Sequence, residues 1–86
     1  MKTHVYDTHV KTKNGDYYHF DVLVSDETIK NAGDYAKQYL TSIGIDNAEF
    51  SQNSCNFCHS EMANPKVKEA IEKNGFYIIP MQGCPS

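Results

Sequence analysis

The residues best equipped for chemistry in this chain are its three cysteines and four histidines. Cys55-Asn56-Phe57-Cys58-His59 sets two thiols three positions apart with an imidazole alongside, and Cys84 follows near the end. Two thiolates on a tight turn span one edge of a tetrahedron, so Cys55 and Cys58 read as a half-site for structural zinc, with Cys84 as third ligand. His59 is the candidate fourth ligand. Because it adjoins Cys58, chelation of one ion by both is awkward, and His4 and Glu61 are alternatives. The rival chemistry is dithiol exchange, in which one thiolate of the pair attacks a disulfide and the other resolves it. Redox pairs of that kind sit at a helix N-terminus, whereas here Pro65 opens a helix well after Cys58. The string also spells the c-type haem attachment sequence. Haem attachment follows export, and the polar start Met1-Lys2-Thr3-His4 reads as no export signal, so the match is a coincidence and no haem is expected. The bland reading is that a cysteine such as Cys84 is a small buried hydrophobe.

The elements that position these residues follow from pattern. Residues from about His4 to Thr12 and Tyr17 to Val24 are rich in strand formers and flank Asn14-Gly15, a hairpin signature. A three-residue loop, Lys13-Asn14-Gly15, puts Tyr6, Thr8 and Val10 on one face with Tyr18, Phe20, Val22 and Val24. A two-residue turn would slip the register and bring Asp7 and His9 onto that apolar face. The three-residue loop sets His9 opposite His19 and Asp7 opposite Asp21 on the other face. Two imidazoles and two carboxylates so close suit a metal ion or an acid–base pair. The simpler reading is a solvated strand face.

A helix is expected from about Asp26 to Ile43, capped by Ser25 or Asp26, with Ile29, Ala32, Gly33, Ala36, Leu40 and Ile43 in one stripe. Gly44 ends it, and Ile45 is placed to touch Leu40. Tyr35 and Tyr39 flank the stripe as the edge of the core. A short strand follows at about Ala48 to Gln52, then a long loop from about Asn53 to Ala63. A second helix runs from Asn64 as cap and Pro65 as first residue to Gly75 as stop, with Val67, Ala70 and Ile71 inward. The last strand, about Phe76 to Met81, carries Pro80 and belongs at an edge.

The fold class is therefore α+β in one domain, residues 1–86, with ββαβαβ order. A four-stranded mixed sheet with both helices packed on one face is expected. If the third and fourth strands run parallel, Cys55, Cys58 and Cys84 converge at one end of the sheet, with His4 arriving there too. Zinc on that cluster is the leading expectation, as a staple for a domain near the size where folding alone becomes marginal.

Composition narrows the partners. Eight basic residues, all lysine, face eleven acids for a net charge of −3. Without the guanidinium fork or a basic cluster, neither nucleic acid nor an anionic membrane surface is an expected partner. No Gly-rich phosphate loop, nucleophile elbow or metalloprotease motif is present, so no nucleotide is expected. The longest apolar run, Phe76 to Ile79, is far too short to span a bilayer. An odd cysteine count and no leader point to a cytoplasmic protein with reduced thiols. A non-catalytic module that pairs an edge strand with a protein partner is a further alternative.

Taken together, His4-Val5-Tyr6-Asp7-Thr8, His19-Phe20-Asp21-Val22, Phe57-Cys58-His59-Ser60-Glu61 and Gly83-Cys84-Pro85 resemble a family of small bacterial proteins catalogued as domain of unknown function family 2024. The resemblance covers nearly the whole chain and implies a compact, stand-alone, cytosolic α+β domain. It carries no established activity. It includes both cysteine regions and the His/Asp hairpin, and so does not choose between them.

Overall fold

Residues 1–84 are described by a computed structural model. The last residues of the chain, including Pro85 of the resembling C-terminal segment, lie outside them. The hairpin forms in the expected register. Strand β1 (Lys2–Thr12) pairs antiparallel with β2 (Tyr17–Val24), with Tyr6 opposite Val22, Asp7 opposite Asp21 and His9 opposite His19. Gly15 closes the loop at φ +90°, a left-handed conformation that side chains disfavour.

The first helix starts later than its sequence pattern implies. Thr28 accepts the Ser25 N–H on its hydroxyl and donates to the Gly75 carbonyl, so residues 25–28 form a turn instead of a first helical turn. Such side-chain to backbone bonds offer the chain an alternative to the helix. A 3-10 turn (Ile29–Asn31) then leads into α1 (Ala32–Ser42), which ends at Gly44 with the Ile45 N–H bonded to the Leu40 carbonyl. Helix α2 (Pro65–Asn74) has the expected ends. The Asn64 side chain accepts from the Val67 N–H, Pro65 is the first residue, and Gly75 stops it.

The region expected to be a short strand and a long loop is instead a capped 3-10 turn (Asn47–Glu49) and one 13-residue strand, β3 (Phe50–Met62). It pairs along nearly all of β1, from Lys2 opposite Met62 to Thr12 opposite Phe50. Its polar run Ser51-Gln52-Asn53-Ser54 has little strand propensity, and the continuous ladder with β1 overrides it. The last strand, β4 (Phe76–Gln82), pairs with β2.

The strand order is β3-β1-β2-β4 and every pairing is antiparallel, so the expected mixed sheet is corrected. The helix between β3 and β4 does not return a parallel neighbour. It carries the chain from one edge of the sheet to the other. Ten residues of helix span ~15 Å, close to the three strand spacings, ~14 Å, that separate the edges. Pro80 is on an edge strand, as expected.

The placement of both helices on one face is corrected too. Ala32, Ala36 and Leu40 of α1 pack with Val10, Phe20, Val22 and Val24, whereas Val67 and Ile71 of α2 pack with Val5 and Leu23. Successive strand residues point to opposite faces, so the two helices sit on opposite sides of the sheet. Helix α2 covers only the end of its face that holds Val5 and Leu23. Asp7, Asp21, His9 and His19, farther along the same face, remain only partly buried.

Each outer strand carries residues that its partner does not match. Cys58 is skipped between the pairs Val5/His59 and Tyr6/Phe57, Ser51 between Lys11/Gln52 and Thr12/Phe50, and Met81 between His19/Gln82 and Phe20/Pro80. These are β-bulges, which bend a strand and raise its twist. Among the described residues, no helix is long and apolar enough to cross a membrane.

Candidate functional site

The part of the sheet that α2 leaves open is where acidic and imidazole side chains meet. Asp7 lies at its centre. One carboxylate oxygen is 2.7 Å from His9 Nε2 and the other 2.6 Å from His19 Nε2. The two imidazole rings stack with centroids 4.2 Å apart and 13° between planes. This follows from the register, since Asp7 and His9 are next-but-one neighbours on β1 and His19 is the cross-strand partner of His9.

The electrostatics are asymmetric. Hydrogen bonding from His19, reinforced by His9, holds the Asp7 carboxyl below the usual carboxylate range. Burial, followed by the nearby Asp7 charge, pushes Asp21 up. Of the two carboxyls, Asp7 is therefore the one that ionises at the lower pH. An ionised carboxylate only accepts, so both Nε2 atoms carry protons. His9 Nδ1 is hydrogen-bonded to the Tyr17 hydroxyl, and the Tyr17 ring stacks beside His9 at 5.8 Å. Tyr17 is held from behind. Gly83, at φ +77°, lies so tightly on the Tyr17 carbonyl that a side chain there would collide with it.

One ligand atom from each of Asp7, His9 and His19 lies within 4.8 Å of the others. Two imidazole nitrogens and one carboxylate oxygen, each side chain about a third exposed, form a donor set for a divalent cation with coordination positions left over.

The cysteines are not brought together. Cys55 points to the α1 face opposite Thr8, whose hydroxyl donates to its sulfur at 3.4 Å, and burial pushes its thiol up. Cys58 is the exposed bulge residue, with His59 Nδ1 at 3.3 Å from its sulfur and Glu61 3.9 Å from His59 Nε2. Three residue steps along the strand set Cys55 and Cys58 ~10 Å apart, beyond disulfide reach. Cys84 follows β4 at the opposite edge of the sheet, its thiol toward the His19 and Gln82 carbonyls. Burial, with the Cys84 thiol alongside, pushes the Tyr39 hydroxyl up to about 12. The expected convergence of Cys55, Cys58 and Cys84 at one end of the sheet is thus corrected, because β3 and β4 are opposite edges and not parallel neighbours, and His59 stays beside Cys58 alone. His4 is engaged elsewhere. It is buried, with Nδ1 2.8 Å from Ser60 Oγ and Nε2 2.5 Å from Asp26, whose carboxyl this bond lowers.

Two features escaped sequence reasoning. Tyr17 shares the face of His19 two positions away, and the register argument that placed His19 reaches it as well. The Ser60–His4–Asp26 chain needed β3 beside β1, which no local pattern announces.

Comparisons with known proteins agree on kinship. The family model described as "Domain of unknown function (DUF2024)" matches residues 1–81. The NMR structure of protein NE1680 from Nitrosomonas europaea, a structural-genomics target, is similar at 45% identity and a TM-score of 0.79, covering 99% of this chain and 100% of that one. No curated protein matches.

Proposed function

For a chain that belongs to the family Domain of unknown function (DUF2024), we propose that the function is binding of one divalent metal ion by Asp7, His9 and His19. The observation that carries this reading is the approach of three donor atoms of suitable type to within 4.8 Å of one another. Ligands on one tetrahedral zinc stand about 3.3 Å apart, given metal–ligand bonds near 2.0–2.1 Å, so modest ring rotations bring them into place. Each imidazole must give up its Nε2 proton to ligate. For His9 the proton moves to Nδ1, and Tyr17 then accepts where it had donated, fixing the ring as hydrogen-bonded outer groups do at metal sites. Asp21, whose ionisation the neighbouring Asp7 charge opposes, ionises more readily once a cation neutralises that charge.

Zinc is the first ion to test, since imidazole and carboxylate suit it and it needs no redox partner. Untagged protein purified without chelator is assayed for metal by mass spectrometry, and apoprotein is titrated with zinc by calorimetry. One site per chain is expected, lost in His9→Ala and His19→Ala and kept in Cys58→Ser and Cys84→Ser. A zinc site that survives both histidine changes but not the cysteine changes would return the metal to the thiols, and no binding at all would end the reading.

A further inference from the structure

Two open clefts of ≈ 620 Å³ each indent the surface, and their charges differ. The one at the end of the sheet beside Ser25 and Thr28 is lined by three carboxylates, Asp26, Glu27 and Glu72, and one lysine, Lys2. The other adjoins the candidate metal site and is lined by His9, Lys11, Tyr17, Gln52, Asn53 and Ser54. Its only formal charge, histidine aside, is the Lys11 ammonium, surrounded by amide and hydroxyl donors. Opposite character implies opposite ligands.

The position of Lys11 is set by the strand. It lies two residues from His9 on β1, on the same face and ~7 Å along it. A divalent cation on Asp7 would leave a local charge of about +1, since one carboxylate answers two positive charges. The ammonium then adds a second positive centre at the far side of the cleft. Without the cation, the ionised Asp7 repels an anion at the near side.

Resting on the metal reading, we infer that the cleft beside His9 binds a small dicarboxylate, one carboxylate filling an open position on the ion and the other meeting Lys11 and Gln52, its cross-strand partner on the same face. The cleft has room for the chain that joins them. Binding of the anion is conditional on the metal, because the ion inverts the charge at one end of the cleft.

The test is calorimetric titration of succinate into zinc-loaded and zinc-free protein, with propionate as the single-carboxylate control. Succinate is expected to bind zinc-loaded protein with one site and at least tenfold more tightly than zinc-free protein. Lys11→Gln weakens succinate about tenfold, the scale of one charge-assisted contact, and leaves propionate and zinc affinity unchanged. Independently of that variant, the side-chain amide NMR signals of Gln52 shift with succinate. Equal succinate binding with and without zinc, or indifference to Lys11→Gln with a silent Gln52 amide, overturns this inference and leaves the zinc site intact. Failure of zinc itself to bind, read in the preceding titration, overturns both.

Discussion

Shaving one methylene from α2 tests the arrangement that leaves the face of Asp7, His9 and His19 open. Ile71 packs with Val5, Leu23 and Val67, and Val22 belongs to the separate cluster under α1. Ile71→Val removes one buried methylene and costs about 1 kcal/mol. Val5→Ala and Val22→Ala each remove two carbons from sites 2% and 0% exposed, and each costs about 2 kcal/mol with the cavity included. The double variants lose about 3 kcal/mol, which a domain with 5–15 kcal/mol can survive. Urea unfolding followed by circular dichroism gives each free energy. Val5→Ala with Ile71→Val should depart from additivity by about 0.5 kcal/mol or more, because the two side chains share a cavity. Val22→Ala with Ile71→Val should add to within about 0.3–0.5 kcal/mol, with the sheet between them. Coupling of Ile71 to Val22 and not to Val5 would put α2 on the α1 face and refute the two-sided architecture.

Other outcomes are specific enough to check. Tyr17→Phe should weaken zinc about tenfold in calorimetry, the lower end for loss of a group that orients a ligand, while the far-ultraviolet spectrum stays the same. Asp21→Asn should stabilise the domain at neutral pH. A carboxyl raised in the folded state adds stability only while protonated and loses it as pH rises through its folded pKa, so the gain over wild type should vanish in acid. Asp7 has the opposite sign. Its lowered folded pKa gives stability that is present above the unfolded value and lost as pH falls through the folded one, so Asp7→Asn should destabilise at neutral pH and converge with wild type below about pH 3.8 in urea titrations. In thiol labelling of the folded chain, Cys58 should react quickly and the half-buried Cys55 far more slowly, and mild oxidation should form no Cys55–Cys58 disulfide by mass spectrometry.

Local signals carried much of this fold. The hairpin register followed from the demand that Tyr6, Thr8 and Val10 share a face with Phe20 and Val22, and the same demand placed His9 against His19. Asn64-Pro65 and Gly75 marked the ends of α2 by their own chemistry. What local pattern could not supply was the partner of each strand. The polar residues of β3 owe their extended state to β1, a contact between segments about fifty positions apart in sequence. A connection long enough to hold a helix fits a parallel return, but it equally fits passage to the far edge, and the cysteine cluster depended on the former. One available signal was passed over. Val22-Leu23-Val24 is an unbroken apolar run, the mark of a strand buried on both sides, and it foretold a helix on each face.

The unmatched residues of the outer strands bear on how this molecule behaves in concentrated solution. The outer edge of β3 offers its backbone groups to any extended chain, including another copy of itself. Ser51 and Cys58 interrupt its ladder rhythm, so the longest stretch with regular spacing is the six residues from Gln52 to Phe57. Four of those six, Gln52, Asn53, Ser54 and Asn56, present polar side chains with little appetite for a dry sheet-to-sheet stack. A visiting strand therefore finds only a short foothold before the spacing slips. Growth of ordered aggregates from this edge is frustrated by geometry, and removal of the extra residue at position 58 would lengthen the regular stretch and invite it.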